Sequence, residues 1–145
     1  MPPDEPARTH VTRFQTIGMV LNDLCMEHGL EAAVLVGPEG LPLAAAHFTH
    51  DPEALAAVTN FFRRAAHQVQ AHLGWPLLDE VTARAQGRGE LVGRSFLVEG
   101  EEFILVVLLP RQMPYRAITN QAIQTIRWVW NTPTTTQAHQ EEEKS

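Results

Sequence analysis

Apolar residues recur at helical spacing in three stretches of the chain. The first stretch runs from Thr9 to His28, and Gly29 is placed to end it in the left-handed conformation. The second begins at Asp51, the predicted N-cap, and stops before Gly74. The third runs from Pro114 to Trp130. The three apolar stripes consist of Val11, Phe14, Ile17, Leu21, Leu24 and Cys25; of Leu55, Val58, Phe62, Ala65, Ala66, Val69 and Leu73; and of Tyr115, Ile118, Ala122, Ile126 and Val129.

Between the helices the pattern changes to that of strands. The stretch AAVLVGPEGLPLAAA, Ala32 to Ala46, has two apolar runs around a Gly-Pro-Glu-Gly turn, which predicts a β-hairpin. Further strands are predicted at Asp79 to Gln86, Glu90 to Val98 and Glu102 to Pro110, the last with a continuous apolar run that suits a central strand. The order α-β-β-α-β-β-β-α predicts an α+β fold in which a five-stranded antiparallel sheet carries helices on both faces.

Length and composition favour a single domain. The chain has 145 residues, of which 44% are hydrophobic, so it can bury one sizeable core. The first eight residues are rich in proline and charge, and the segment from Thr132 has almost no apolar residue. We therefore expect a disordered extension over residues 1–8, the domain over residues 9–131, and a disordered acidic tail over residues 132–145.

The charge and the apolar runs exclude several classes of partner. The formal net charge is −6, which lacks the basic surface expected of a nucleic-acid binder. No apolar run approaches the roughly 20 residues that span a bilayer, so we expect no membrane insertion. The N-terminus shows no secretory signal, and Cys25 is the only cysteine. These features favour a cytoplasmic location.

No signature of catalysis or of a cofactor is found. The hairpin does not fit a phosphate-binding loop, because Gly37 and Gly40 are too close, a strand follows, and no lysine stands beside them. Ser95 lies inside a predicted strand. His67 and His72 are five residues apart and do not share a helix face, although a metal or small-molecule site built on the histidines remains an alternative. We predict a non-enzymatic protein without catalytic residues, metal or cofactor.

Three stretches of this pattern resemble one family. The hairpin Ala32 to Ala46, the acid-then-helix segment HDPEALAAVTNFF and the strand pair GELVGRSFLVEGEEFILVVLLP are similar to the Roadblock family of dynein-light-chain-related proteins, over about residues 10 to 130. Its bacterial members include the MglB-type partners of small Ras-like GTPases. The resemblance implies a homodimer in which the strand Asp79 to Gln86 continues the sheet into a second copy, with the two copies of the second helix side by side.

A specific register follows if this edge strand pairs with itself. With the twofold axis near Thr82, residues whose numbers sum to 164 face each other, so that Glu80 lies opposite Arg84 of the second copy. Opposite charges across two strands contribute about 0.2–1 kcal/mol. The alternative is an edge strand that stays exposed to solvent, with its own charged side chains preventing it from pairing with another chain.

The second helix carries another stripe on its outward side. A large aromatic residue beside arginine is typical of binding hot spots. The alternative is that Phe61 packs, with Ala57, in the seam between two copies. The resemblance implies that the paired helices bind a small Ras-like GTPase and alter its hydrolysis of GTP, either by arranging its switch segments or through an arginine in trans. A structural adaptor that docks on a larger assembly without nucleotide dependence is the second hypothesis. The predicted partner-binding residues are Phe61, Arg63, Arg64, His67 and Gln68.

Overall fold

The computed structural model describes residues 12–47, 52–76, 78–87, 89–110 and 113–132. The predicted N-cap Asp51 and most of the two predicted disordered ends lie outside the described residues. The elements in chain order are α1 (Arg13–His28), β1 (Ala32–Val36), β2 (Pro42–Ala46), α2 (Pro52–Leu73), β3 (Glu80–Ala85), β4 (Gly89–Val98), β5 (Glu101–Leu109) and α3 (Arg116–Asn131).

The five strands form one antiparallel sheet in the order β2-β1-β5-β4-β3. The predicted fold class is therefore confirmed. β5 lies at the centre of the sheet, and the side chains from Phe103 to Val107 are all buried. This is the outcome that the continuous apolar run predicts. β2 and β3 are the two edge strands, as predicted for β3.

Specific residues fix the position of both ends of α1. Thr12 and Gln15 form a capping box, in which each side chain bonds the backbone N–H of the other residue. Gly29 ends the helix in the left-handed conformation with φ of 71°, as predicted. Phe14 differs from the prediction, because 46% of its surface is exposed and its ring packs at the margin of the core against Trp130.

The main core lies between one face of the sheet and the helices α1 and α3. Alternate residues of each strand point into it, since successive side chains of a strand face opposite sides. Its fully buried large side chains include Ile17 and Leu21 from α1, Leu35 from the hairpin, Phe103, Leu105, Val107 and Leu109 from β5, Val92 from β4 and Ile126 from α3.

α2 covers the opposite face, and it does so only in part. Phe62 and Ala66 are buried on this side, where the sheet presents Val34, Val36, Ile104 and Val106. Val58 and Leu73 are 37% and 60% exposed, although the sequence pattern placed them in the stripe that faces the core. Val58 lies at the edge of the apolar stripe that faces away from the sheet, whereas Leu73 is exposed at the last residue of the helix.

Gly93 allows α2 to approach the sheet closely. A Cβ atom at this position would lie 2.9 Å from the Cδ2 atom of Phe62. We expect Gly93→Ala to lower the free energy of unfolding by about 1–3 kcal/mol, because the ring has to shift in a packed layer. The matched control is Gly18→Ala in α1, where a Cβ atom meets nothing within 4 Å. Urea denaturation measures the free energy of unfolding of both variants. Equal values for the two would contradict this account of the α2 packing.

Candidate functional site

The edge strand β3 directs a row of backbone groups away from the sheet. The N–H of Ser95 donates to the carbonyl of Asp79 at 2.9 Å, and the β3–β4 register continues from there without a shift. In an antiparallel ladder the backbone groups of successive residues point alternately inward and outward. Those of Glu80, Thr82 and Arg84 therefore point outward. A second copy of β3 would pair even-numbered residues with even-numbered residues, a condition that the predicted Thr82-centred register meets.

Glu80 and Arg84 both have partners within the chain. The Glu80 carboxylate accepts hydrogen bonds from the hydroxyls of Tyr115 and Thr82, and it lies 3.7 Å from both Arg94 and Arg116. Glu80 is thereby tied to the N-terminal end of α3. The predicted ion pair with Arg84 of a second copy would add to these contacts, and the register stays a prediction.

Arg84 forms an ion pair with a more deeply placed carboxylate. Its guanidinium lies 2.8 Å from Glu90, whose side chain is only 9% exposed, while the Arg84 side chain is 73% exposed. Arg84 is thus the member of this pair that reaches the surface at the sheet edge. No sequence motif indicated Glu90, although it lies directly opposite Arg84 across the short turn between β3 and β4.

The outward side of α2 carries a continuous row of small and apolar residues with few charges. Their spacing alternates between four and three residues, which is the spacing of a helix seam that packs against another helix. Phe61 is 59% exposed in this row. Ala57, Arg64 and Gln68 are also exposed and lie along one flank of the row, as their spacing predicted. We call this row the α2 seam; it consists of Ala54, Val58, Phe61 and Ala65.

The buried side of α2 reaches as far as the edge strand β3. Phe62 and Ala66, on the buried side of α2, line a cavity of about 10 Å³ together with Val81 of β3 and Gly93 of β4. α2 therefore lies over the face of the sheet on which Val81 is found.

Arg63 does not share the exposed position of Arg64. Its side chain is 15% exposed and points beneath α2, where Nε lies 3.0 Å from the Glu102 carboxylate. Its other nitrogens donate to the carbonyls of Gly37 and Pro38 at 2.9 and 3.2 Å. Arg63 thus joins α2 to the β1–β2 turn and to β5. Arg63 is one of the predicted partner-binding residues, whereas its side chain lies on the side of the helix opposite Phe61 and Ala65.

Glu102 lies at the centre of the contacts beneath α2, and no sequence motif indicated it. It accepts a hydrogen bond from the Ser95 hydroxyl at 3.0 Å, and His67 lies 3.6 Å from it. His67 is 54% exposed, so its ring is accessible while it touches this cluster. The sequence feature that could have indicated Glu102 is its place directly before the apolar run of β5. Its side chain lies on the face of the sheet that α2 covers, where Arg63 is found.

The described residues offer little for metal or nucleophilic chemistry. They contain no group of three or more histidine, cysteine or acidic side chains that could hold a metal ion. His67 contacts Glu102, and His72 bonds Gln68 at 2.8 Å on the same helix. Burial raises the pKa of the Cys25 thiol to about 11, which disfavours the reactive thiolate at neutral pH. In the part of the chain that the structure describes, no helix is both long and apolar enough to cross a membrane.

Comparison with known proteins gives matches among solved structures. No family model and no curated protein sequence matches the chain. MglB from Myxococcus xanthus is similar over 83% of this chain and 89% of that chain, with 17% identity and a TM-score of 0.64. The gliding protein MglB from Thermus thermophilus is similar over 83% and 92%, with 18% identity and a TM-score of 0.68.

A further similar structure is a Roadblock/LC7 domain. The Roadblock/LC7 domain from Streptomyces avermitilis is similar over 77% of this chain and 92% of that chain, with 16% identity and a TM-score of 0.64. The similarity extends over nearly the whole length of each of these three structures, and the order of the elements is the one that the sequence resemblance implied. The chain therefore adopts the Roadblock/LC7 fold, in a form similar to that of MglB.

Proposed function

We propose that the chain is a homodimeric regulator that binds a small Ras-like GTPase in the cytoplasm and modulates its GTP hydrolysis or location. The observation that carries the proposal is the α2 seam, an exposed row of small and apolar residues beside an open sheet edge. Exposed apolar rows of this kind mark sites of protein association.

Dimerisation through β3 and α2 accounts for both features at once. Pairing of two β3 strands would satisfy the outward backbone groups of Glu80, Thr82 and Arg84. It would also bring the two α2 helices side by side, so that the alternating spacing of the seam allows Val58, Phe61 and Ala65 to interdigitate with their counterparts. One similar solved structure carries the description "MglB with tetrameric arrangement", which supports self-association in proteins of this fold.

The paired helices would present a surface for the GTPase. Arg64 and Gln68 flank the seam and stay exposed, and His67 lies on the neighbouring side of α2. The support for a GTPase ligand is the likeness to MglB, together with the arginine and aromatic content of this surface. Preferential binding to one conformation of the partner's switch segments would shift the partner toward a state competent for hydrolysis.

Nucleotide-dependent binding is the expected result. Purified full-length chain is mixed with a Ras-like GTPase of the same genome, loaded with GDP or with a non-hydrolysable GTP analogue, and the Kd is measured by calorimetry. We expect at least about tenfold tighter binding to one nucleotide state, which corresponds to about 1.4 kcal/mol. Equal affinity for both states would support the nucleotide-independent adaptor instead.

Substitution of Arg64 separates the two mechanisms of stimulation. If the chain acts by arranging the partner's switch segments, Arg64→Ala lowers the stimulated hydrolysis rate by less than about tenfold. An arginine that reaches the transferred phosphate is worth roughly 10³–10⁵ in rate. A loss of that size with binding intact would show that Arg64 acts in trans. Arg63 is held by Glu102 and the β1–β2 turn, so this proposal gives it a structural role.

A further inference from the structure

We infer that a groove beside the β1–β2 turn binds a partner segment that carries a large apolar side chain next to a lysine or arginine. The groove has a volume of about 240 Å³ and is separate from both β3 and the α2 seam. It lies between the β1–β2 turn, the start of β5 and the end of α3. The side chains on which the inference rests are Leu41, Leu43, Phe103, Trp130, Glu39 and Glu101.

Aromatic side chains make the floor of the groove rigid. Phe103 is buried and meets the Trp130 ring edge-on, with 5.0 Å between the ring centroids. Phe14 and the guanidinium of Arg13 pack on the same indole at 5.8 and 5.2 Å. Trp130 is therefore fixed by three neighbours. Fixed aromatic rings provide large contact areas at a low cost in conformational entropy.

The turn that forms the opposite wall is also held in place. The N–H of Gly37 donates to the carbonyl of Leu41 at 3.1 Å, and the N–H of Gly40 donates to the carbonyl of Gly37 at 3.0 Å. Arg63 holds the same turn from the other side of the sheet. Leu41 projects from this wall with 60% of its surface exposed. A preformed groove with an exposed leucine at its rim lowers the ordering cost of binding.

The size of the groove favours a protein segment over a cofactor. Pockets for small molecules and cofactors typically have volumes of roughly 300–1,000 Å³, which is more than this groove offers. A single leucine-sized or phenylalanine-sized side chain of a partner would fill its apolar part. The neighbouring backbone of the partner would then run past the rim.

The charges at the rim select the residues beside that apolar side chain. Glu39 and Glu101 are both exposed at the groove. Neither carboxylate forms an ion pair with another described residue. Arg13 packs over Trp130 and is not one of the residues that line the groove. Complementary charge therefore requires a lysine or arginine on the partner, on one or both sides of the inserted side chain.

A phage-displayed library of random heptapeptides, selected on the full-length chain, tests the inference. We expect enrichment of peptides with a leucine, isoleucine, methionine or phenylalanine next to lysine or arginine. Synthetic copies of these peptides should quench or shift the Trp130 fluorescence, measured in a Trp75→Phe/Trp128→Phe background because the chain has three tryptophans. Their Kd should rise at least tenfold for Leu41→Ser and for the double variant Glu39→Lys/Glu101→Lys. The charge control Glu27→Lys, on the exposed side of α1, should leave the Kd unchanged.

A charge swap separates direct contact from a structural effect. Peptides in which the basic residues are replaced by glutamate should bind the double variant Glu39→Lys/Glu101→Lys more tightly than the unaltered chain. The inference is overturned if no peptide is enriched, or if Leu41→Ser leaves the Kd of the enriched peptides unchanged. It is overturned as well if the glutamate peptides bind the double variant no more tightly than the unaltered chain. It is also overturned if Leu41→Ser abolishes a larger oligomer, because a second copy of the chain then fills the groove. None of these readouts depends on GTPase binding, so the test is independent of the proposed function.

Discussion

Replacing Arg63 by methionine is expected to lower the free energy of unfolding by about 2–4 kcal/mol. The change removes the ion pair with Glu102 and two hydrogen bonds to the carbonyls of Gly37 and Pro38. It leaves a carboxylate that is only 17% exposed with Ser95 and His67 as its remaining partners. Removing one member of a partly buried pair costs more than the pair contributes, because the other charge stays desolvated.

The neighbouring residue provides the control for this experiment. Arg64→Met makes the same chemical change on an exposed part of the same helix, and we expect it to alter stability by less than about 0.5 kcal/mol. A double-mutant cycle with Glu102→Gln isolates the pairwise coupling, which we expect to be about 1–3 kcal/mol. Urea denaturation measures the free energy of unfolding of all the variants. A cost for Arg63→Met no larger than that for Arg64→Met would contradict the role given to Arg63.

Much of the fold follows from local signals in the sequence. The apolar run of β5 can be buried on both faces only in the middle of a sheet, and this is where the strand lies. The alternating charges of β3 suit a strand with one open edge, and β3 is an edge strand. Gly29 was predicted to end α1 in the left-handed conformation and Gly40 to close the hairpin turn, and the structure has positive φ of 71° and 82° at these two glycines.

The rotation of α2 could not be predicted in the same way. The apolar residues of this helix cover more of its surface than the sheet can bury, so periodicity alone does not show which of them face solvent. Gly93 settles the question, because the missing side chain makes room for Phe62 and so fixes the buried side of the helix. This pairing of a strand glycine with a helix phenylalanine is a long-range contact, and no local pattern shows it.

In the candidate site, too, local spacing predicted some features, whereas long-range contacts could be seen only in the folded structure. The sequence placed Phe61, Arg64 and Gln68 on an outward face because their spacing is local, and all three are exposed. It did not distinguish Arg63 from Arg64, since adjacent arginines are alike until the position of Glu102 is known. The intrachain partners of Glu80 come from α3 and β4, which are far along the chain, and they too required the folded structure.

Thr82→Pro is expected to weaken the proposed homodimer at least about 30-fold without unfolding the chain. The backbone N–H of Thr82 points away from β4, so a proline there removes no hydrogen bond of the β3–β4 ladder, and proline is tolerated on edge strands. In the dimer, two symmetry-related donors are lost and two acceptors are left unsatisfied, at about 1–3 kcal/mol each. Sedimentation equilibrium gives the Kd, and circular dichroism checks the fold.

Two further variants at the same position make this experiment decisive. Thr82→Val keeps the backbone N–H and the branched side chain, so its dimer should be within about threefold of the unaltered one, since it retains the main-chain ladder. Thr82→Cys tests the register, because opposed residues on adjacent strands lie within the Cα separation of about 4.4–6.8 Å that a disulfide requires. Cys25 is buried and its thiol has a pKa raised to about 11, so any crosslinked dimer comes from position 82. A Thr82→Pro chain that dimerises as tightly as the Thr82→Val chain would show that β3 is not the dimer edge. A dimer sensitive to proline that Thr82→Cys fails to crosslink would keep the edge and exclude the Thr82-centred register.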